Sequence, residues 1–189
     1  IDVLFGNHNG DLDVLCKKSQ ISQAEALKYF IERFRVRRST HGGIIWWNIL
    51  DGWPQISDAV IDYYFVKKLA YYYIKRSQQS VVLIMEECNG TTGLFGVNDT
   101  LNDETIVYTI KNIYTDELIT RGKIKLKSFS SVKIQELQIA KEDKSFYYIE
   151  WHGENFVGTN HFHTNLRNID YEKYMSAIKK VKYDNWEGF

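Results

Sequence analysis

Aromatic side chains dominate the residues here that could do chemistry. They make up 15% of the chain, with 13 Tyr and 5 Trp, an excess that suits contact with sugars or proteins and equally suits a β-rich core. Trp46, Trp47 and Trp53 cluster with Asn48 and Asp51 inside Gly42-Gly43-Ile44-Ile45-Trp46-Trp47-Asn48-Ile49-Leu50-Asp51-Gly52-Trp53-Pro54. A second aromatic group, Tyr147, Tyr148, Trp151, Phe156 and Phe162, would form a ring platform if it lay exposed and coplanar, and a structural core if buried. His161-Phe162-His163 places two imidazoles on one strand face, a metal pair in form, but no third ligand stands at useful spacing. Neither a phosphate-binding Gly-rich loop nor a Ser-His-Asp or Cys-His arrangement is present. The Asp and Glu residues read as surface charges.

Certain elements must position these groups. Gly42–Pro54 is apolar without alternation, which reads as a strand buried on both faces, as in a helix-covered parallel sheet. Ser22-Gln-Ala-Glu25 has capping-box spacing and predicts a helix start, with Leu27, Phe30, Ile31 and Phe34 at helical period; residues 1–19 read as irregular, with turn chemistry at Asn7, Asn9 and Gly10. Arg33, Arg35, Arg37 and Arg38 read as a solvated helix terminus opposing the dipole. A second helix is expected over Tyr63–Arg76, with Phe65, Leu69, Tyr72 and Tyr73 on one face. One buried strand between two helices cannot close a core, so this part reads as the tail of a larger α/β domain.

The period changes after Ser77. Short β-rich runs at Val81–Met85, Thr105–Ile113, Lys123–Lys127, Val132–Ile139 and Phe146–Trp151, a turn signal at Asn89-Gly90, and weaker strands at Phe156–His163 and Ala177–Tyr183 predict an antiparallel immunoglobulin-like sandwich. The expected domains are residues 1–79 and 80–189, joined at the Ser/Gln-rich stretch 77–80.

The net charge is zero and the pI about 7.1, which argues against nucleic acid or a membrane surface as a partner held by bulk electrostatics. No stretch is long and apolar enough to span a membrane. Cys16 and Cys88 read as reduced, buried thiols. Asn89-Gly-Thr91 and Asn98-Asp-Thr100 are sequons only if the chain is secreted by a eukaryote. The chain begins at Ile1 without a signal-peptide pattern, which fits a fragment or missing upstream residues and leans towards a cytoplasmic setting.

Gln23-Ala-Glu-Ala26, Gly43 with Trp47 four residues on, Asp51, Trp53-Pro54 and Ile61-Asp-Tyr-Tyr64 together resemble the end of β-mannosidase-like enzymes of glycoside hydrolase family 2. There a Gly-x-x-x-Trp-Gln-x-Asn-Asp-x-Trp-Pro segment forms the eighth strand of a (β/α)8 barrel, and β-sandwich domains follow. Val97-Asn98-Asp99 resembles a Val-x-Asn-Asp element of such a sandwich, and Trp186-Glu-Gly-Phe189 a family ending. The resemblance implies an α/β remnant, the last part of a (β/α)8 barrel, followed by an all-β immunoglobulin-like sandwich. It implies a carbohydrate substrate, no cofactor or metal, and the remainder of the catalytic barrel as a partner.

By the same resemblance Trp47 forms part of the sugar-binding floor, since the C–H face of a pyranose packs on a flat indole. Asp51 either bonds a sugar hydroxyl or ties down its loop, and Trp53 lines the cleft or packs beneath it. Asn48 stands where the family has Gln, and Leu50 where it has Asn, which leaves galactosidase and mannosidase specificity open. The family's acid/base Glu follows an Asn and its nucleophile ends the seventh strand; both fall before Ile1, and no Asn-Glu dipeptide occurs here. The fragment alone is therefore expected to be inactive. The alternative is a non-catalytic carbohydrate-binding or structural sandwich. An exposed sheet edge and apolar face also lead to the expectation of a homodimer through residues 21–76, or of a rearranged, non-barrel packing there.

Overall fold

The computed structural model describes residues 1–6, 10–88, 90–139 and 142–181. The expectations for Asn7, Asn9, Asn89, residues 182–183 and Trp186–Phe189 fall outside these. The elements run α1 (Asp2–Phe5), α2 (Leu12–Val36), α3 (Leu69–Ser77), β1 (Val81–Cys88), β2 (Thr91–Asn98), β3 (Glu104–Asn112), β4 (Glu117–Leu126), β5 (Ser130–Leu137), β6 (Phe146–His152), β7 (Val157–His163) and α4 (Tyr171–Lys180).

Helix α2 begins ten residues before the expected start. Asp11 is its N-cap, accepting a hydrogen bond from the Val14 N–H at 3.1 Å. A short acidic side chain there satisfies a free N–H and meets the positive helix end. Ser22 is therefore mid-helix, and residues 1–19 are largely helical. The face that α2 buries is Lys18, Ile21, Ala24, Glu25, Lys28, Ile31 and Glu32. Phe30 lies off it, 38% exposed. Apolar period alone misplaced the face because four of its buried residues are charged. Helix α3 starts at Leu69 rather than Tyr63: the Asp62 side chain instead accepts from the N–H groups of Tyr64 and Val66, closing a turn, and Phe65 projects into solvent.

Gly42–Pro54 does not form a buried strand. Among the described residues it makes one isolated parallel bridge, Leu50 to Ile61, and Ile61 makes an antiparallel one to Lys67. Ile45 is 95% exposed, while Ile44 and Trp46 lean partly buried onto the helical core. The run is apolar enough for a central strand, but among the described residues no strand flanks it, so Ile45, Trp47, Ile49 and Trp53 stay exposed.

The strands form a three-stranded sheet, β1-β2-β5, facing a four-stranded sheet, β4-β3-β6-β7, with antiparallel pairing throughout. This is a β-sandwich. Its core gathers Val82, Ile84, Leu94, Val97, Ile106, Ile110, Leu126, Ile149 and Trp151. Strand β2 escaped the sequence reading because two glycines break its β signal. At Gly96 an added Cβ would stand 2.6 Å from Leu126 Cδ2, so the close approach of the two sheets demands the missing side chain. Ala177–Tyr183 is not a strand: its described part ends helix α4, capped by the Asp170 carboxylate on the Lys173 N–H. Tyr174, Ala177 and Ile178 of α4 share a core with Ile21, Ala24 and Ile31 of α2 and with Leu69, Tyr73 and Ile74 of α3. No helix of the described residues is long and apolar enough to cross a membrane.

Both cysteines are free. Cys88 is exposed and Cys16 partly buried, contrary to the expected burial, because Cys88 ends β1 where the strand leaves the core.

Candidate functional site

The segment 42–68 is an irregular excursion between α2 and α3. Its middle is held by backbone bonds: Asp51 N–H to Ile61 O at 3.1 Å, Ile61 N–H to Ile49 O at 2.9 Å, Val60 N–H to Asn48 O at 3.2 Å, and Lys68 N–H to Val60 O at 2.9 Å. Asp51 is the polar centre, 3% exposed. Its Oδ1 accepts from the Ser57 hydroxyl and from Gln55 Nε2 at 3.1 Å, and its Oδ2 from Lys68 Nζ at 3.2 Å. The Ser57 hydrogen bond above all, with those from Gln55 and Lys68, holds the carboxyl below the usual carboxylate range. Asp51 is thus an ionised anchor with its acceptor sites engaged inside the loop.

Around that anchor the aromatic residues face outward. Trp47 is 76% exposed and Trp53 63%. Asn48 is half-buried, and its Oδ1 is out of contact with water and accepts no hydrogen bond. The Trp47–Asn48 peptide is cis. Leu50, Asp51, Gly52, Tyr63, Tyr64 and Phe65 line an open depression of about 600 Å³. The four residues singled out from sequence therefore lie on one excursion but play different parts. Asp51 is buried, Asn48 intermediate, and the two indoles are open.

The second aromatic group makes no platform. Tyr147 and Trp151 are buried in the sandwich, and Tyr148, Phe156 and Phe162 are partly buried against the two cores. Alternation along β6 sends Tyr147 and Trp151 to one face and Tyr148 to the other, so the rings cannot form one row. The two histidines are buried as well. His161 Nε2 lies 2.9 Å from Glu25 Oε1, and His163 Nε2 lies 3.2 Å from the Tyr114 hydroxyl. Among the described residues no three His, Cys, Asp or Glu side chains are placed to hold a metal ion.

Buried carboxylates, not surface ones, are the feature that sequence reasoning missed. Glu25 accepts from Tyr174 Oη and faces His161; Tyr174 Oη in turn lies 2.9 Å from Tyr73 Oη. Lys28 Nζ bonds Glu32 Oε2 at 2.7 Å, and Asn160 Nδ2 bonds Glu32 Oε1 at 2.6 Å and the Leu83 carbonyl at 2.9 Å. Burial pushes the His161 imidazole down to about 4, against the pull of Glu25. Burial also pushes on Glu25, but His161, Lys28 and Tyr174 outweigh it and keep that carboxyl low. Burial lifts Glu32. The i, i+3, i+7 spacing of Glu25, Lys28 and Glu32 was readable as one helix face; only the tertiary fold showed that the face turns inward.

No protein-family model and no curated protein matches the chain in sequence. Its structure does have counterparts. A β-D-mannosidase from Dictyoglomus thermophilum superposes with a TM-score of 0.74 and 29% identity, over 88% of this chain and 22% of that one. The chain has the fold of one section of a β-mannosidase. The exo-chitosanase CsxA of Amycolatopsis orientalis superposes with a TM-score of 0.66 and 15% identity over 86% of this chain and 20% of that one, a likeness of fold alone. The chain spans about a fifth of the length of these structures. The likeness supports the resemblance carried by residues 43–64.

Proposed function

We propose that this chain is a section of a retaining, exo-acting β-glycosidase of the family 2 type, β-mannosidase or β-galactosidase in kind, that removes terminal β-linked sugars. In this reading residues 1–79 complete a catalytic (β/α)8 barrel and residues 80–189 are its accessory sandwich. The superposition on β-D-mannosidase, over most of this chain and a fifth of that one, carries the reading.

The roles then divide by exposure. Trp47 and Trp53 offer open indole faces to the C–H face of a sugar ring. Asn48, half-buried between them with its amide oxygen enclosed, sets the backbone from which Trp47 projects. Asp51, its oxygens engaged by Ser57, Gln55 and Lys68, holds the loop and does not meet the sugar. The catalytic carboxyl pair, about 5–5.5 Å apart in retaining enzymes, comes from polypeptide outside residues 1–189. The burial of Tyr147 and Trp151 favours a bracing role for the sandwich over sugar binding.

Purified chain incubated with aryl β-mannoside and β-galactoside is expected to release no more aryl alcohol than a buffer blank. Turnover would overturn the placement of the carboxyl pair. The reading frame preceding Ile1 is expected to encode a barrel with an Asn-Glu pair and a later Glu at a strand end; a frame without them would overturn the family reading.

A further inference from the structure

We infer that the last turn of α2 is a positioning clamp, in which the arginines beside the candidate segment lock its point of entry onto the sandwich. The inference rests on the reading of segment 42–68 as the functional one. From sequence, Arg33, Arg35, Arg37 and Arg38 look like a solvated helix end. In the structure each is spent on a sandwich carboxylate. Arg33 Nη1 lies 2.9 Å and Arg37 Nη1 2.5 Å from Glu86 Oε1 on β1. Arg35 Nη2 lies 2.6 Å from Asp99 Oδ2, and Arg38 Nη1 pairs with Asp99 Oδ1 at the end of β2.

The clamp has further fixtures on the same sheet. Arg38 Nη1 also bonds the Asn98 carbonyl at 3.2 Å, Arg35 Nη1 donates to the Ser77 carbonyl, and the Ser131 hydroxyl of β5 donates to the Val36 carbonyl at 2.8 Å. Asn98 is itself fully buried, and its Nδ2 ties the Asn102 and Lys127 carbonyls at 2.8 and 3.1 Å. This gives Val97-Asn98-Asp99 a role: Asn98 knots two sandwich loops into a rigid base, and Asp99 offers that base to the arginines. The Glu86 side chain is only 4% exposed, so its end of these pairs is withdrawn from water, while the Arg33 and Arg37 side chains stay 41% and 29% exposed.

Immediately beyond the clamp the chain enters the candidate segment. Arg35, Arg38, Asp99, Gly42, Gly43 and Ile44 share one cleft of about 360 Å³. The glycines at 42 and 43 have no side chain within 4 Å of the Cβ position, so nothing of their own pins that entry. On the N-terminal side of Trp47 the Arg–Asp99 cluster is the ion-paired anchor, followed by Thr40 and His41 on the Arg37 carbonyl and by the packing of Ile44 and Trp46 on the helical core. Asp99, Glu86 and the arginines are thus positioning residues: they act on the sugar-facing indole through the backbone and touch no ligand.

Amide hydrogen exchange of the whole chain tests this. Asp99→Asn is expected to raise exchange at Asp51, Val60 and Ile61, whose N–H groups hold the segment, by about tenfold, while amides of β3 and β6 keep their rates. Asp99→Glu, which keeps the charge, is expected to restore most of the protection. Should Asp99→Asn fail to fold, Arg38→Met carries the same test from the helix side. Exchange that rises equally across β3 and β6, or unchanged rates at 51, 60 and 61 in a folded variant, would overturn the clamp. Loss of sugar binding in Trp47→Ala with clamp exchange unchanged would leave the two readings separately decided.

Discussion

The buried His161–Glu25 pair is expected to make the stability of this molecule depend on pH. The imidazole sits 1% exposed between Glu25, Tyr73 and Phe146, the last stacked on it at 5.0 Å. Its folded value of about 4 lies below the unfolded one of about 6.5. The unfolded chain therefore binds more protons between these values, and stability falls as pH drops from about 6.5 towards 4, by on the order of 3 kcal/mol. Glu25, also held low, adds loss in the same direction at lower pH. Urea midpoints measured from pH 7.5 to 4.5 should decline through that window, and the His161 ring should remain neutral by NMR at pH 5.5. A flat profile would disprove the assignment. At the same scale, Trp47→Ala should abolish any quenching of tryptophan emission by mannose or galactose and leave the urea midpoint within about 0.5 kcal/mol, because an indole that is 76% exposed supports little packing.

Among the elements, α2 is the spar. Its N-terminal end is capped by Asp11, its middle is bonded to β7 through Glu25–His161 and Glu32–Asn160, and its end is clamped to β1, β2 and β5. Asp11→Ala should cost about 1 kcal/mol in a urea titration, the usual value of a helix cap. A contrasting constraint lies in the sandwich. An added Cβ at Gly158 would stand 2.3 Å from Cε2 of Trp151, a ring that is 2% exposed and cannot move aside. Gly158→Ala should therefore destabilise by roughly 1–3 kcal/mol through overpacking. A shift below a few tenths of a kcal/mol would mean that β6 and β7 yield more readily than their packing implies.

At the level of the whole molecule, the helical layer and the sandwich share apolar cover. Phe146 from β6 and Ile169, Tyr174, Met175 and Ile178 from α4 and its lead-in pack into the same core as α2 and α3. Residues 80–189 expressed alone are expected to fold as a sandwich, because the core of Val82, Leu94, Ile106, Ile110 and Trp151 closes between the two sheets. They should nevertheless bind a dye of exposed apolar surface, since α4 loses the helices it rests on. A piece that folds without dye binding would mean that α4 repacks on the sandwich. The open side chains Ile45, Ile49, Ile56, Phe65 and Val66 are those that, in the proposed enzyme, the rest of the barrel would cover.

Local pattern was enough for much of the sandwich. Apolar and β-branched runs located β1, β3, β5, β6 and β7 to within a few residues, and the second half of β4, whose first six residues from Glu117 were not read as strand. The change of period after Ser77 coincides with the end of α3 and the start of β1 at Val81. The spacing of Trp47, Asp51 and Trp53 was also readable, since those residues recur at fixed offsets within one short segment. What pattern could not supply were decisions made by distant neighbours. Gly42–Pro54 has the composition of a central strand, yet a strand is set by the chains beside it, and here, among the described residues, only residues 60–61 pair with it. β2 hides behind two glycines, one of which, Gly96, lies against Leu126 of the opposite sheet. Glu25, Glu86 and the four arginines read as solvent charges because their ion-pair partners lie 49 or more residues away, and the Lys28–Glu32 pair is drawn inward by Asn160, 128 residues on; a charge is buried or exposed according to what the fold brings to it.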